Sequence, residues 1–389
     1  MKFPGFSSGR EAEELRKFES LEQHERSIVF YSEDNFSIIN FEPILNELTN
    51  NLQRQVCYLT SSPNDPMLNS ENKNIKSFFI GDGTIRTKLF LTLKADVLVM
   101  TMPDLGTYHI KRSKIYPVHY VYIFHSMVST FMTYRKGAFD NFDTILCVGK
   151  HQIQEIREME KVYGLKPKNL LEHGYGLLDT LMKKYSSSSL REKYNEKQIL
   201  IAPTWGKKAL LENHGHEIVK ILLDSGYNVI VRPHPMSLIK SKKIINSINE
   251  DFKNNPNFKL ETDIRSSDSL SSSQFVITDW SGIALEYVFT FERPVLFVDV
   301  PKKINNVDFE KISLTPIEVS LRKELGESCS PDQLEKIPEK LDYLYENLES
   351  FKKQIVQIRS QTIFNLGKSG EIGAKYIAQI ADEQKQKRN

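Results

Sequence analysis

Residues 276–287, with the sequence VITDWSGIALEY, place polar groups at the end of an apolar run that predicts a buried strand. Asp279, Ser281 and Gly282 follow that run, and an apolar-faced helix is predicted to begin there. A glycine lets a ligand approach the backbone, and the first turn of a helix presents unpaired N–H groups and a positive dipole end. This pattern predicts an anion site to which Ser281 contributes a hydroxyl. The alternative is an ordinary helix N-cap.

Two further predicted strand ends carry groups suited to a phosphate. The run IAPTW places Thr204 after one strand, and VIVRPHP places Arg232 and His234 after another. Guanidinium and imidazole groups bind phosphate oxygens, and Glu286 on the new helix is suited to ribose or polyol hydroxyls. Each element alone is compatible with an ordinary loop. Because the carboxyl ends of parallel strands meet at one edge of a sheet, together they predict a phosphate site.

The first half of the chain offers a candidate general base. His125 ends the predicted strand YVYIFH, and an imidazole with a reference pKa of about 6.5 suits proton abstraction near neutral pH. Its alternative is a structural histidine. Asp104 is a candidate carboxylate, while Arg135 and Lys136 are predicted either to steer an anionic acceptor or to form a solvated surface.

Several other chemistries are not supported. The pair His214 and His216 lacks a third ligand at metal-site spacing, and neither GDGTIRTK nor GYG matches a P-loop or dinucleotide fingerprint. We therefore expect no cofactor and no metal site, with a requirement for magnesium left open. A formal net charge of +2 argues against a dedicated nucleic-acid binder.

The elements that must position these residues alternate between short apolar runs and helical patterns, which predicts an α/β fold. The predicted strands are 27–32, 55–60, 77–81, 95–101, 119–125, 142–149, 198–204, 227–235, 258–262, 274–281 and 293–300. The pattern restarts after a polar, serine-rich stretch at 185–197, so we expect two Rossmann-like, doubly wound domains at 1–180 and 181–365. A helical tail at 366–389 is compatible with a return to the first domain.

The bulk composition is that of a soluble globular protein. The 389 residues are 40% hydrophobic and 26% charged, and the three cysteines form no CxxC pair. With no signal peptide and no apolar run of about 20 residues, the expected location is the cytoplasm. Peripheral contact with the inner membrane is compatible with the basic, partly amphipathic tail, although packing of that tail against the domains is favoured.

The order APTW, VRPHP and ITDWSGIALEYVFTFERPVLFV resembles the CDP-glycerol glycerophosphotransferase family, the teichoic acid primases and polymerases. That family carries A-P-T-W, R-P-H-P and T-D-Y-S-S in this order, and IFHSMVSTF falls where it has T-W-H-G-T-P. The resemblance spans about residues 95–300. It implies a GT-B-like fold, in which two Rossmann-like domains face each other across a cleft. This chain departs from the pattern in three motifs. Phe124-His125-Ser126-Met127-Val128 stands where the family has W-H-G-T-P, Gly176-Leu177-Leu178 where its linker has P-R-N, and Trp280-Ser281-Gly282 where it has Y-S-S.

The resemblance also implies a reaction. His125 would deprotonate an acceptor hydroxyl, which attacks the β-phosphorus of CDP-glycerol or a similar CDP-polyol and releases CMP. The donor diphosphate would be held by five residues: Thr204, Arg232, His234, Ser281 and Gly282. Asp279 would brace the turn, so it counts with His125 and His234 as catalytic. The implied acceptor is a cell-surface glycopolymer or a lipid-linked glycan.

Two rival functions remain open at this point. One is a GT-B glycosyltransferase that uses a nucleotide sugar such as a CMP-sugar, with Asp104 as its candidate carboxylate base. The other is a non-catalytic binding subunit of a polysaccharide assembly complex.

Overall fold

The computed structural model describes residues 9–187, 195–263 and 266–388. A seven-stranded parallel sheet occupies the first half of the chain, in the order β3-β2-β1-β4-β5-β6-β7. Its strands are β1 (Ile28–Ser32), β2 (Val56–Thr60), β3 (Ile75–Phe79), β4 (Val97–Met100), β5 (His119–Ile123), β6 (Thr144–Cys147) and β7 (Asn169–Glu172). Every residue of β1, β2, β4 and β6 is buried, as expected for a parallel sheet covered on both faces.

The helices of this first sheet are α1 (Arg10–Glu19), α2 (Ile38–Asn46), α3 (Thr84–Thr92), α4 (Lys150–Tyr163) and the C-terminal α15 (Ser369–Gln386). Helix α15 buries Ala374 and Ile377 in the same apolar core as Ile44 of α2. The carboxylate of Asp179 accepts hydrogen bonds from the backbone N–H groups of Gly367 and Ser369, at 2.6 and 2.9 Å. The last helix is therefore an integral part of the first core.

The second sheet has six parallel strands in the order β10-β9-β8-β11-β12-β13. They are β8 (Asn195–Ile201), β9 (Asn228–Val231), β10 (Phe258–Leu260), β11 (Ser273–Thr278), β12 (Val295–Val298) and β13 (Gly326–Cys329). Counted from β8 this is the Rossmann strand order, and the winding direction reverses between β8 and β11. Ligands of such sheets bind outside the carboxyl ends of the strands at that switch point.

Ten α-helices described in the structure lie between β7 and the C-terminal helix α15. They are α5 (Gly176–Ser187), α6 (Leu210–Asp224), α7 (Pro235–Lys240), α8 (Lys242–Phe252), α9 (Asp268–Ser272), α10 (Ile283–Phe291), α11 (Ile317–Ser320), α12 (Arg322–Leu325), α13 (Ile337–Glu346) and α14 (Leu348–Thr362). Helix α10 is buried along most of its length, which fixes its first turn at the end of β11. Within the described ranges, no helix has both the length and the apolarity needed to cross a bilayer.

The α/β class predicted from the alternating pattern is confirmed by the two parallel sheets. The predicted strands correspond to β1–β6 and β8–β12, but the edge strands β7 and β13 were missed. Their sequences, NLLE and GESC, are short and contain no β-branched residue. Between β9 and β10 the chain forms two helices, α7 and α8, that meet at Ser241. The linker predicted at 185–197 falls largely on residues 188–194, outside the described residues.

The chain divides into two compact units. The first comprises Met1–His125, Tyr134–Asp179 and Ile363–Asn389, and the second comprises Ser126–Thr133 and Thr180–Thr362. The short segment 126–133, which directly follows His125 in the chain, thus belongs to the second unit. Nothing in the sequence indicated this insertion.

Glu318 holds this inserted segment within the second unit. Its carboxylate accepts hydrogen bonds from the backbone N–H of Ser129 and the hydroxyl of Thr133, both at 2.9 Å. The Asn306 side chain donates to the carbonyl of Phe131, also at 2.9 Å. The position of segment 126–133 is therefore set by side chains that come more than 150 residues later in the sequence.

Candidate functional site

The carboxyl ends of β8, β9 and β11 carry the residues predicted to bind phosphate. Thr204 follows β8, Arg232 and His234 follow β9, and Asp279 follows β11. Strand β8 pairs with both β9 and β11, so the three strand ends are neighbours at one edge of the sheet. The structure thereby gathers these four residues at the switch point of the second unit.

Asp279 is enclosed by backbone donors. Its Oδ1 atom accepts from the N–H groups of Thr204 and Trp280 at 2.7 Å, and its Oδ2 atom accepts from the N–H of Leu210 at 3.1 Å. The side chain is only 1% exposed, and this burial raises the pKa of Asp279 while the three N–H groups act in the opposite direction. The carboxylate joins the end of β8 to the end of β11, and we assign it a positioning role.

Helix α10 begins directly after this turn, with Gly282 at its N-cap. The carbonyl of Gly282 accepts the first helical hydrogen bonds, from Leu285 at 3.1 Å and Glu286 at 3.3 Å. Among the described residues, no acceptor takes a hydrogen bond from the backbone N–H of Ser281 or Gly282. Both N–H groups remain available to an anion at the positive end of the helix dipole.

Gly282 is also in close contact with the inserted segment. A Cβ atom built on Gly282 would lie 2.5 Å from Ser126 Oγ and 3.4 Å from Val128 Cγ1. The family pattern has a glycine where this chain has Ser126 and a serine where it has Gly282. We therefore expect the two departures to compensate each other, because the Ser126 hydroxyl lies where a side chain at position 282 would begin.

A double-mutant cycle tests this compensation. Gly282→Ser should lower the free energy of unfolding by about 1–2 kcal/mol through overpacking against Ser126. Combining it with Ser126→Gly should recover most of that loss, giving a coupling energy of about 1 kcal/mol in denaturant unfolding. Additive effects of the two changes would contradict the compensation.

His234 is held in one tautomer. Its Nδ1 atom accepts a hydrogen bond of 3.1 Å from the backbone N–H of Met236 and so caps α7. In the neutral ring the proton must then reside on Nε2, which makes that atom a donor. His234 is therefore suited to donate a hydrogen bond to a phosphate oxygen without being charged.

Arg232 lies in a buried network of opposite charges. Its Nη1 atom is 3.3 Å from Ser269 Oγ and 3.6 Å from Glu261 Oε2. Burial lowers the pKa of Arg232, and the carboxylates of Glu261, Glu286 and Asp263 raise it again. Part of the guanidinium is thus engaged by protein carboxylates, and the charge of Glu286 on α10 acts on it as well.

Arg322, which the sequence analysis did not identify, supports the turn between β11 and α10. Its guanidinium lies 4.0 Å from the ring centre of Trp280 and 4.3 Å from that of Phe297. It donates to the carbonyl of Asp279 at 2.8 Å and to the carboxylate of Asp299 at 2.7 Å. Arg322 lies in α12, and no local motif points to this role.

Lys303 was missed as well. It follows β12, and its Nζ atom donates a hydrogen bond of 2.8 Å to Thr204 Oγ1. Burial lowers the pKa of Lys303 to about 8, while the charges of Asp279 and Glu212 act in the opposite direction. The strand-end rule that selected the other residues would also have selected this one.

His125 lies in the first unit, after β5, with an exposed side chain. Its Nδ1 atom is 3.2 Å from the carbonyl oxygen of Thr101, and a tyrosine ring, that of Tyr134, lies 5.9 Å away. Because a carbonyl only accepts, Nδ1 carries the proton in the neutral ring and Nε2 presents a lone pair. Desolvation by neighbouring groups lowers the pKa of His125, while the Thr101 carbonyl and the charge of Asp34 raise it.

The weaker acceptor-side candidates form a surface cluster in the same unit. Asp104 Oδ2 pairs with Arg135 Nη2 at 2.7 Å, and the Arg135 guanidinium lies 5.1 Å from the ring centre of Tyr108. Lys136 Nζ lies 4.5 Å from the ring centre of Tyr163. Across the described part of the chain, no group of three His, Cys, Asp or Glu side chains is placed to hold a metal ion.

Residues 16–303 match the family described as CDP-Glycerol:Poly(glycerophosphate) glycerophosphotransferase, which is more than half of the chain. No curated protein matches the sequence.

Solved structures are similar in fold at low sequence identity. The wall teichoic acid polymerase TagF aligns with 14% identity and a TM-score of 0.61, covering 96% of this chain and 94% of its own. A Listeria monocytogenes protein described as a UDP-N-acetylglucosamine 2-epimerase aligns with 13% identity, a TM-score of 0.58 and coverage of 88% and 93%. WaaG, a glycosyltransferase involved in lipopolysaccharide biosynthesis, aligns with 12% identity, a TM-score of 0.52 and coverage of 90% and 99%. These neighbours confirm the predicted GT-B-like fold class.

Proposed function

The chain belongs to the CDP-glycerol:poly(glycerophosphate) glycerophosphotransferase family, and from that premise we propose that it transfers a polyol phosphate from a CDP-linked donor. The donor is CDP-glycerol or a similar CDP-polyol, and the acceptor is a hydroxyl group of a cell-surface glycopolymer or of a lipid-linked glycan. The protein is thus a transferase of teichoic acid synthesis.

The reaction is a displacement at phosphorus. An acceptor oxygen forms a bond to the β-phosphorus, the bond from that phosphorus to the bridging oxygen breaks, and CMP leaves with its electron pair. His125 takes the acceptor proton on Nε2, the atom left unprotonated by the contact of Nδ1 with Thr101. Positioning and charge stabilisation supply most of the rate in such phosphoryl transfers.

The donor diphosphate is assigned to the switch point of the second sheet. The N–H groups of Ser281 and Gly282, the Nε2–H of His234 and the hydroxyl of Ser281 are its donors. Arg232 adds positive charge and Glu286 is assigned to polyol or ribose hydroxyls. The observation that carries this proposal is the gathering of Thr204, His234 and Asp279 at neighbouring strand ends beside the start of α10.

The proposed donor and acceptor lead us to infer where the protein works. A CDP-linked donor is cytoplasmic, and a lipid-linked acceptor lies in the membrane, so we place the protein at the cytoplasmic face with peripheral contact. Helix α15 buries its apolar side chains in the first core, so this contact is assigned to another surface. Co-sedimentation with lipid vesicles would detect it.

A donor panel tests the function against its rivals. Thermal unfolding and product analysis with CDP-glycerol, CDP-ribitol, a CMP-sugar and a UDP-sugar should show stabilisation and turnover with a CDP-polyol. Turnover of a CMP-sugar alone would favour the glycosyltransferase, and binding without turnover of any donor would favour the non-catalytic subunit.

A further inference from the structure

Two ammonium groups contact the indole ring of Trp205, which follows β8. Lys240 Nζ lies 4.7 Å from the ring centre, and Lys303 Nζ lies 4.4 Å from it. The ring of His234 is 6.1 Å from the same indole, and Lys303 also contacts Thr204. We call these five residues, Thr204, Trp205, His234, Lys240 and Lys303, the Trp205 cluster.

The carboxylates of Asp279 and Glu212 act on the charge of Lys303 from a distance. Within the described residues, no carboxylate forms an ion pair with Lys303, in contrast to Lys311, which pairs with Asp308 at 3.1 Å. The nearby carboxylate of Asp279 already accepts three backbone N–H groups. A half-buried ammonium group without a counter-ion is costly, which favours an anion as its missing partner.

One oxygen of the other nearby carboxylate, that of Glu212, is engaged, while its Oε2 atom accepts no hydrogen bond from the described residues. Glu212 Oε1 accepts hydrogen bonds from the hydroxyls of Ser237 and Ser241, at 2.8 and 2.9 Å. Within the described residues, the two ammonium groups of the Trp205 cluster, those of Lys240 and Lys303, therefore form no ion pair with a carboxylate.

Contacts link Lys303 directly to the turn before α10. Its Nζ donates to Thr204 Oγ1, while the backbone N–H of Thr204 shares Asp279 Oδ1 with the N–H of Trp280. The residues after Trp280 are those assigned to the donor diphosphate. One of the three N–H bonds of the ammonium group is used by Thr204, which leaves two for a ligand.

We propose that Lys303 is a further catalytic residue, one that contacts the donor diphosphate and stabilises the negative charge developing on the departing CMP. This inference rests on the function proposed above. When the bond between the β-phosphorus and the bridging oxygen breaks, the electron pair remains on CMP, and the ammonium group offsets that charge without giving up its proton. A compact ammonium point charge suits a phosphate oxygen, and the indole beneath it stabilises the cation.

The charge of Lys303 depends on pH in a range that can be tested. The charged and titratable groups that face it are Asp279 after β11, Glu212 on α6, Lys240 on α7 and His234 at the start of α7. Because burial brings the pKa of Lys303 to about 8, the ammonium group loses its proton as the pH rises from 7 to 9. Donor affinity should fall over that interval. An arginine at the same position stays charged and should abolish the fall.

The experiment measures the affinity of the full chain for CDP-glycerol, CMP and cytidine by calorimetry between pH 6.5 and about 9, and kcat by CMP release. Lys303→Met should weaken CDP-glycerol binding about 10- to 100-fold while cytidine binding changes little. The loss in kcat/KM should exceed the loss in affinity if the contact strengthens in the transition state.

Lys303→Arg should retain CDP-glycerol binding, and its affinity should not depend on pH over this range. The matched control is Lys302→Met at the exposed neighbouring position, which should behave as wild type.

The outcomes separate this inference from the function on which it rests. If the wild-type protein binds no CDP-linked donor, the proposed function fails and the role of Lys303 falls with it. If the wild type binds CDP-glycerol and Lys303→Met binds it equally well, only the role of Lys303 is overturned. A wild-type affinity that is constant from pH 7 to 9 would overturn it as well, with no variant involved.

Discussion

His125→Asn is expected to lower the rate of polyol phosphate transfer by about 10²- to 10⁴-fold, the range typical for removal of a general base. The asparagine amide can still donate to the Thr101 carbonyl, as Nδ1 does now, so the local structure should survive. What is lost is the lone pair on Nε2. Affinity for CDP-glycerol should stay unchanged, because the donor groups belong to the second unit. Steady-state kinetics and calorimetry check the two expectations separately.

The control for this change is His24→Asn, at an exposed position in the same unit, which should retain full activity. The wild-type enzyme should also lose kcat/KM as the pH falls below about 6.5, because protonation of Nε2 removes the base and desolvation lowers the pKa of His125. Full turnover by His125→Asn would assign the proton transfer to another group, of which Asp104 is the remaining candidate.

Asp279→Ala should have the largest effect on stability. It leaves the N–H groups of Thr204, Leu210 and Trp280 without their acceptor in a buried site, and we expect a loss of about 3–5 kcal/mol in the free energy of unfolding. Asp279→Asn keeps an acceptor oxygen and should cost less. Urea unfolding followed by circular dichroism measures both.

Asp224→Ala is the matched control for this change. Asp224 lies in the same unit and forms an ion pair with Lys220, and its side chain is 64% exposed. Its replacement should therefore lower the free energy of unfolding by about 0.5 kcal/mol or less. If Asp279→Ala were as mild as the control, the bracing of β8 against β11 by this carboxylate would be wrong.

Much of the fold was predictable because its central strands are continuous apolar runs. Strands such as VCYLT and VLVM are buried on both faces, and the apolar runs reveal them without any alternation. The edge strands β7 and β13 carry no such signal, because NLLE and GESC are short and contain no β-branched residue. The insertion of segment 126–133 into the second unit was unpredictable because Glu318 and Asn306, which hold it, come from distant loops and helices.

The residues of the candidate site were also only partly predictable from the sequence. Thr204, His234 and Asp279 were found because functional residues of parallel sheets lie after the strands. The tautomer of His234 was not predictable, because it depends on the hydrogen bond that its Nδ1 atom accepts from the backbone N–H of Met236. Lys303 obeys the same rule and was overlooked because PKK reads as a solvated charge run. Arg322 has no sequence signal, since its stacking between Trp280 and Phe297 exists only in the folded chain.

Identifying the bond that breaks in the donor distinguishes the transfer of a polyol phosphate from the transfer of glycerol or of a sugar. The protein would be incubated with CDP-glycerol carrying isotopically labelled glycerol and with an oligomeric glycerol phosphate acceptor, and the released nucleotide and labelled polymer would be counted by mass spectrometry. We expect one CMP to be released for each labelled glycerol phosphate added to the acceptor. Release of CDP with transfer of glycerol alone, or turnover restricted to a nucleotide sugar, would contradict it.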